Sequence, residues 1–169
     1  KPGRYTGGEI GQVVKDWHTT RFKFGIGYPD LYEVGMSSRG VQIVYFLLNQ
    51  IENVLCERFF APAEDMEKEL IHRNFPLFSL EIKTPLLGFS LQHESVYTNF
   101  LNILQLSGIP LTTRDRIQES QFKTQKFPYI FTGGPSASNP LPLAPFVDFV
   151  ILGDAEEVMP ELIKAAESW

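Results

Sequence analysis

Cysteine is nearly absent from this sequence. The chain has 169 residues and a single cysteine, Cys56. One cysteine cannot form an intrachain disulfide, and it cannot supply the thiolate clusters that hold zinc or iron–sulfur centres. Cys56 lies in an apolar and aromatic stretch, Val54–Phe60, so we expect a small buried thiol rather than a nucleophile.

Long apolar runs and an excess of positive charge are also missing. No stretch reaches the roughly 18 uninterrupted apolar residues of a membrane span, and no signal-peptide pattern opens the sequence. The formal net charge is -5, which argues against a nucleic-acid surface because such surfaces carry a basic stripe. We therefore expect a cytoplasmic protein that binds neither a membrane nor nucleic acid.

Several catalytic patterns do not occur. The chain has no G-x-x-x-x-G-K-[ST] phosphate loop and no G-x-S-x-G nucleophile elbow. The glycine pair at Gly25 and Gly27 is followed by Asp30, where a dinucleotide-binding fingerprint requires a third glycine. The three histidines are too far apart in sequence for metal-ligand spacing: His18, His72 and His93. No reaction is indicated by these motifs.

Four carboxylates could converge at one edge of the fold, namely Asp30, Glu33, Glu94 and Asp154. Helix caps and solvated charges account for carboxylates in such positions better than general acid–base chemistry does. His93 lies closest in sequence to the strand ends, but it has no partner with catalytic spacing. We therefore expect a binding role rather than a catalytic one.

Alternation of strands and helices is the main pattern that is present. Hydrophobic residues make up 43% of the chain and charged residues 21%, which is typical of one soluble globular domain. Apolar and aromatic runs predict strands at residues 22–28, 54–60, 86–91, 129–132 and 147–152, with a weaker candidate at 77–82. We expect an α/β fold with about five mostly parallel strands and helices on both faces.

Helices are predicted between these strands. They cover residues 41–49, 62–73, 95–106 and the segment after Asp154. Pro62 is expected at a first helical position, and Met66, Leu70 and Ile71 on one face of that helix. Residues 112–126 are polar without periodicity and are predicted to form a loop. Pro160 is expected to bend the last helix near its start.

Three loops at strand ends carry small or polar residues, at 30–38, 90–94 and 133–138. In open α/β sheets the ligand site lies outside the carboxyl ends of the strands. Glycines there let a ligand approach the backbone closely. We expect these loops to enclose a binding site, with residues 153–157 at its rim. Ser37 or Ser38 is expected to cap the following helix, whose free N–H groups would face the crevice.

Short motifs in these loops occur in a fixed order along nearly the whole chain. They are K-P-G-R-Y at 1–5, G-G-E at 7–9, P-D-L-Y-E-V-G-M-S at 29–37, F-A-P at 60–62, G-F-S-L-Q at 88–92, Y-T-N at 97–99, G-G-P at 133–135, N-P at 139–140 and G-D-A-E-E at 153–157. Together they resemble the cobalamin-binding domain family. In particular, the chain is similar to the N-terminal domain of cobalamin-binding-type radical SAM proteins.

The cobalamin signature of that family is D-x-H-x-x-G, then S-x-L, then a Gly-Gly pair. Asp30, Gly35 and the pair Gly133–Gly134 fit this signature, and Ser90 followed directly by Leu91 approximates it. The resemblance implies a flavodoxin-like (Rossmann-like) three-layer sandwich. It also implies that the tail of a cobalamin lies in a channel beside the sheet. The channel residues implied are Ser90, Leu91, Gly133 and Gly134. Further cofactor-binding residues implied are Gln92, Pro135 and Gly153.

Tyr32 is the main departure from the signature. It occupies the position of the histidine that binds cobalt in the family. A tyrosine is neutral near pH 7, with a reference pKa of about 10, and is a poor substitute ligand. The resemblance implies that Asp30, Leu31, Tyr32 and Gly35 lie under the corrin. Either cobalamin binds with no side chain on cobalt, or the fold serves another ligand or docking.

The cysteine content is a second departure, because radical SAM enzymes hold a [4Fe–4S] cluster with a C-x-x-x-C-x-x-C run. The resemblance therefore implies that the cluster and S-adenosylmethionine bind in a catalytic domain beyond Trp169, which is the expected partner. Residues 1–20 are predicted to form an arm and residues 21–169 the cobalamin-binding-like domain. We expect an accessory, non-catalytic domain.

A docking module is the alternative to cobalamin binding. Such a module would pack on the catalytic domain and shape its substrate channel without holding a small molecule. Tyr5, Trp17 and Tyr97 are candidate aromatic residues for that interface, although burial is the commoner use of such residues. Binding of hydroxocobalamin distinguishes the two interpretations.

Overall fold

A single parallel sheet forms the centre of the structure. The computed structural model describes residue 4 and residues 7–77, 86–122 and 127–167. Within these residues the strands are β1 (Phe22–Tyr28), β2 (Val54–Phe60), β3 (Leu86–Ser90), β4 (Tyr129–Gly133) and β5 (Phe149–Val150). Their order is β2-β1-β3-β4-β5 and every pairing is parallel. This is the strand order of flavodoxin-like folds, so the predicted α/β class is confirmed.

Helices flank the sheet on both faces. They are α1 (Tyr32–Ser37), α2 (Arg39–Asn49), α3 (Glu64–Arg73), α4 (Tyr97–Leu106), α5 (Thr113–Phe122) and α6 (Ala155–Glu167). Helix α2 packs against α6 on one face, and α3 contacts α4. None of the helices in the described ranges is long and apolar enough to cross a membrane.

The core divides into two clusters, one on each face of the sheet. Phe24 and Ile26 of β1 pack with Tyr45 of α2 and Ile163 of α6 in the first cluster. In the second, strand residues pack against the buried positions of α4: Leu87, Phe89, Phe100, Ile103 and Leu104. Neighbouring residues of β3 belong to different clusters because successive side chains of a strand point to opposite faces. Both faces are therefore covered, as expected for a parallel sheet.

The first two strands along the chain, β1 and β2, have the predicted bounds. Phe22–Tyr28 and Val54–Phe60 are strands as the apolar patterns indicate. Cys56 is a free, buried cysteine, also as predicted. The helix predicted at 95–106 is present as α4, which buries Phe100, Ile103 and Leu104, and Leu101 is partly buried. These elements were predictable because each has a continuous apolar run or an apolar face.

The prediction of a loop at 112–126 is wrong, because Thr113–Phe122 is helix α5. Its start is capped reciprocally: the Asp115 N–H donates to Thr112 Oγ1 at 3.1 Å, and that hydroxyl donates to Asp115 Oδ2 at 2.7 Å. Over residues 113–120 of α5, the buried position is a cation, Arg116, while Ile117 is exposed. Polar contacts hold this helix, so the sequence shows no apolar periodicity.

The expected loop after β1 is also partly helical. Tyr32–Ser37 forms the short helix α1, and Ser38 is the N-cap of α2. Neither serine caps α2 through its side chain, which corrects the prediction. The Ser37 hydroxyl donates to the Val34 carbonyl oxygen at 2.7 Å, and the Ser38 N–H donates to Gly35 at 3.0 Å. Both serines therefore end α1.

Two further element bounds differ from the prediction. Strand β5 contains only Phe149–Val150, although the N–H groups of Asp148 and Ile151 still donate to carbonyls of β4. Helix α3 begins at Glu64 rather than at Pro62 and contains no fully buried residue. Ile71 is 64% exposed, so it does not share a buried face with Met66 and Leu70. The strand candidate at 77–82 lies outside the described residues except for residue 77.

Candidate functional site

A crevice of about 1120 Å³ opens at the carboxyl ends of the strands. It lies where β1, β3, β4 and the end of β5 meet the first turns of α2 and α6. Its floor is apolar, formed by Ile26, Phe89, Phe131 and Met159. Hydroxyl, amide and backbone groups from the strand-end loops form its walls. This is the position in which open α/β sheets bind ligands.

Six of the predicted site residues line this crevice. Ser90 and Gln92 come from the end of β3, and Gly133, Gly134 and Pro135 from the end of β4. Gly153 lies in the turn before α6, as the predicted rim segment implies. The Gln92 amide nitrogen donates to the Ser90 hydroxyl at 3.0 Å. The structure therefore brings the predicted loops at 90–94 and 133–138 together with the predicted rim segment at 153–157.

Leu91 is completely buried and joins the second and third loops through its backbone. Its N–H donates to the Gly133 carbonyl oxygen at 2.8 Å, and its own carbonyl oxygen accepts from the Ser136 N–H at 3.1 Å. These two bonds hold the ends of β3 and β4 in a fixed relation. Leu91 thus supports the crevice wall from behind and does not line it.

The two glycines at the end of β4 differ in what they leave room for. Gly134 has φ +98°, and a Cβ atom there would lie 2.7 Å from the Leu91 carbonyl oxygen. A Cβ atom on Gly133 would meet only Ile151, at 3.7 Å or more. Gly133 is two residues from Phe131, so its Cβ would point to the crevice face of the sheet. Gly134 is required by the backbone, whereas Gly133 keeps the crevice open.

The first predicted loop contributes to the crevice with other residues than expected. Tyr28, Val34, Ser37 and Ser38 line it, whereas Leu31 and Tyr32 line a separate, smaller pocket. The Tyr32 ring meets the Phe60 ring edge-on, with 5.4 Å between centroids. The formation of α1 accounts for this difference, because it turns successive residues of the segment to different sides.

Asp30 and Gly35 have structural roles in this segment. The Asp30 carboxylate accepts from the Leu31 N–H at 2.7 Å, and the Asp30 carbonyl oxygen accepts from the Ala61 N–H at 2.9 Å. Gly35 is buried, and a Cβ atom on it would overlap the Phe60 ring. These contacts fasten α1 against the end of β2.

Helix α4 positions two of the loops from the other face of the sheet. The Tyr97 hydroxyl donates to the Ser136 carbonyl oxygen at 3.2 Å. The Asn99 amide donates to the Pro29 carbonyl oxygen at 3.1 Å. Tyr97 therefore has an internal role.

Trp17 and Tyr5 were the other two aromatic candidates for a docking interface. Trp17 is partly buried below Lys23, whose ammonium lies 5.0 Å from the ring centroid. Tyr5 lies outside the described residues.

The charged groups of the crevice are few and lie at its rim. Arg39 in the first turn of α2 and Asp154 and Glu156 at the start of α6 line it, and all three are exposed. Burial raises the pKa of Tyr28, and the nearby Asp30 raises it further. The crevice is therefore nearly neutral, with hydroxyl and amide groups as its main polar partners.

Among the described residues that line the crevice, no catalytic arrangement is found. The four carboxylates do not converge as a group, because Glu33 pairs with Arg4 at 2.7 Å and Asp30 bonds to its own loop. His93 contacts Ser95 and does not line the crevice. Across the described residues, no three His, Cys, Asp or Glu side chains are placed to hold a metal ion. This arrangement can bind and orient a molecule.

Sequence reasoning missed several residues of the crevice. Ser37, Ser38 and Ser138 lie in predicted loops but were not singled out as crevice residues, and Arg39 and Met159 carried no signal. Met159 is four positions after Ala155 in α6, and its apolar periodicity indicates only a core residue. The start of α6 follows a predicted loop, which was the available clue that this helix borders the crevice.

Fold and crevice together define a parallel α/β domain with an open crevice at the carboxyl ends of its strands. Residues 40–169 match the family model described as "Radical SAM proteins, N-terminal". The chain belongs to this family. No curated protein matches the chain. The radical SAM part of the resemblance is thus confirmed, while cobalamin binding stays a prediction.

Proposed function

We propose that this domain is the cofactor-binding accessory part of a radical SAM protein and that its crevice binds cobalamin. The observation that carries the proposal is the convergence of loops from β1, β3, β4 and β5 on one crevice of about 1120 Å³. Ligand pockets usually measure about 300–1,000 Å³, so the crevice suits a large ligand or part of one. The [4Fe–4S] cluster and S-adenosylmethionine belong to a catalytic domain elsewhere in the parent protein.

The side chains of the crevice suit the polar and apolar parts of such a ligand. Ser90, Gln92 and Ser138 offer hydrogen-bond donors and acceptors, and the aromatic floor at Phe89 and Phe131 offers an apolar surface. A bound cobalamin would supply a cobalt centre whose chemistry is the cofactor's own. The role of this chain would be to bind and orient that group.

Tyr32 would not be a ligand of cobalt in this arrangement. The Tyr32 side chain contacts Phe60 and lines the smaller pocket. Histidine is likewise missing from the residues described as lining the crevice. The crevice does contain a thioether, that of Met159, but this side chain is only 3% exposed. We therefore propose binding through the crevice walls, with no protein side chain on cobalt.

Hydroxocobalamin is the probe that tests the proposal. We expect it to co-elute with the 169-residue chain in gel filtration and to change its visible spectrum on binding. Gly133→Leu places a bulky side chain on the crevice face and should abolish co-elution. Thr98→Leu adds the same side chain at an exposed position of α4 and should bind as the unchanged protein does.

The outcome that contradicts the proposal is elution of hydroxocobalamin entirely apart from the unchanged chain. Equal binding by the Gly133→Leu protein would locate the site outside the crevice and would also contradict it. Circular dichroism of both variants separates loss of binding from loss of the fold, because Gly133 tolerates a Cβ atom in its backbone conformation.

A docking role is the second candidate, and two exposed apolar residues favour it. Val34 is 43% exposed and Leu152 is 65% exposed, and both line the crevice. Under this proposal the catalytic domain packs over the crevice and shields these side chains. Hydroxocobalamin would then stay unbound, and hydrogen exchange near Val34 and Leu152 would be slower in the parent protein than in the isolated chain.

A further inference from the structure

Two helices begin at the crevice, and their first turns differ in charge. Helix α6 has Glu156 and Glu157 in its first turn and Asp154 just before it. Helix α2 has no acidic residue in its first turn, and its first residue is the cation Arg39. The positive end of a helix dipole attracts anions. At α6 the protein's own carboxylates fill this role, whereas the first turn of α2 supplies none.

The backbone donors in the first turn of α2 are unpaired. Within the described part of the chain, the N–H groups of Arg39, Gly40 and Val41 make no hydrogen bond. The N-cap residue Ser38 does not cap them through its side chain, and the first N–H to bond is that of Gln42, which donates to the Ser38 carbonyl oxygen at 3.2 Å. Ser38, Arg39 and Gly40 line the crevice. Free helix N–H groups therefore belong to its wall.

Tyr28 supplies a further unpaired donor from inside the fold. Its side chain lines the crevice, although only 7% of the residue is exposed. Among the described residues its hydroxyl has no hydrogen-bond partner. Burial raises the pKa of Tyr28, and the nearby Asp30 raises it further, so the hydroxyl keeps its proton at neutral pH. A buried hydroxyl without a partner is unfavourable, and an oxygen of a ligand in the crevice would relieve this.

Tyr28 and the start of α2 lie on the same face of the sheet. Tyr28 belongs to the core cluster that also contains Val41 and Val44 of α2. The acidic side chains that line the crevice, Asp154 and Glu156, come from α6. An anionic group of a ligand is repelled by these carboxylates and is therefore favoured at the α2 side of the crevice.

We propose that the first turn of α2 and the Tyr28 hydroxyl form a subsite of the crevice for a phosphate group, with the Arg39 guanidinium at its rim. Backbone N–H groups, a hydroxyl and a cation offer more donors than the two oxygens of a carboxylate use, and they suit the larger oxygen set of a phosphate. The inference rests on the proposed function in that it uses the same crevice, and cobalamin carries one phosphodiester.

Inorganic phosphate is the probe, and acetate at equal ionic strength is its comparison. In two-dimensional NMR titrations of the 169-residue chain, phosphate should give saturable shifts of the amides of residues 38–41. Acetate should bind more weakly. Tyr28→Phe should weaken phosphate binding about tenfold, the usual size of a hydrogen bond to a charged group. This variant removes only a hydroxyl that is unpaired within the described residues, so we expect it to fold normally.

Tyr129→Phe is the matched control, because Tyr129 is 52% exposed and begins β4, at the edge of the sheet away from the crevice. It should leave phosphate affinity unchanged. Arg39→Gln should weaken phosphate binding about two- to fivefold, as expected for an exposed charge. Arg21→Gln alters an exposed arginine before β1, outside the crevice, and should have no effect.

Absence of saturable shifts in α2, equal binding of acetate, or an unchanged phosphate affinity in Tyr28→Phe would each overturn the inference. Its failure is distinguishable from that of the proposed function, because the phosphate titration involves no cobalamin. Saturable phosphate binding by a chain that leaves hydroxocobalamin unbound would contradict cobalamin binding and support the phosphate subsite. Hydroxocobalamin binding without saturable phosphate binding would overturn the subsite alone.

Discussion

Gly134 and Leu91 approach each other so closely that a Cβ atom on Gly134 would lie 2.7 Å from the Leu91 carbonyl oxygen. That oxygen accepts the Ser136 N–H, and the Leu91 N–H donates to Gly133. The contact is therefore between two backbones. The second glycine of the Gly-Gly pair is needed to assemble the site, whatever molecule the site holds.

The first prediction compares the two glycines. Gly134→Ala should lower the free energy of unfolding by about 2 kcal/mol or more, because alanine is strained at φ +98° and meets Leu91. Gly133→Ala should change it by less than about 1 kcal/mol, since its Cβ makes ordinary contacts. Urea denaturation followed by circular dichroism measures both. Equal losses would contradict the distinction.

The second prediction concerns the histidine position of the cobalamin signature. Tyr32→His should leave the visible spectrum of bound hydroxocobalamin unchanged, because residue 32 faces Phe60 and the smaller pocket rather than the crevice. The measurement is a spectrum of the complex at matched occupancy. A spectral change typical of a new imidazole ligand would show that residue 32 reaches cobalt and that α1 is rearranged on binding.

The third prediction concerns the buried ion pair that holds α5. Arg116 donates to Asp148 at 3.0 Å, and their side chains are 4% and 13% exposed. The guanidinium also donates to the carbonyl oxygens of Pro110, Leu111 and Phe146. Asp148→Ala should lower the free energy of unfolding by about 3–5 kcal/mol, because it leaves a buried cation without its counter-charge.

A surface ion pair provides the control for this measurement. Lys68 and Glu64 are 73% and 83% exposed and lie one helical turn apart. Lys68→Ala should change the free energy of unfolding by less than about 0.5 kcal/mol. If Asp148→Ala costs no more than Lys68→Ala does, the Arg116–Asp148 contact does not hold α5 in solution.

The fourth prediction is a pH dependence of stability at Glu57. Its pKa is raised in the fold, so its contribution to stability is present below the ordinary carboxyl value of 4.5 and lost as the pH rises through the higher folded value. Glutamine cannot ionise. Glu57→Gln should therefore be more stable than the unchanged protein at pH 7, with a difference that shrinks as the pH falls below 4.5.

Urea denaturation at pH 7 and at pH 4 measures this difference. Glu9 and Arg58, the charged groups that act on Glu57, are the same in both proteins, so their own titration cancels in the comparison. A stability difference of the same size at both pH values, or a less stable variant at pH 7, would mean that the fold leaves the Glu57 carboxylate fully solvated.

The sequence by itself determined the strands and the general position of the crevice. Phe22–Tyr28 and Val54–Phe60 are predictable because a run of apolar and aromatic residues is by itself a local signal of a buried strand. Loops after parallel strands necessarily meet at one edge, which accounts for the correct grouping of Ser90, Gly133 and Gly153.

Tertiary structure decided which side chains face the crevice and which polar segments are helical. Helix α5 depends on Arg116 reaching Asp148, 32 positions along the chain, and no local pattern reports such a contact. Tyr32 was assigned to the site by its place in a motif, but the turn of α1 directs it to Phe60. Side-chain direction depends on the exact rotation of each short element, and packing between distant segments sets that rotation.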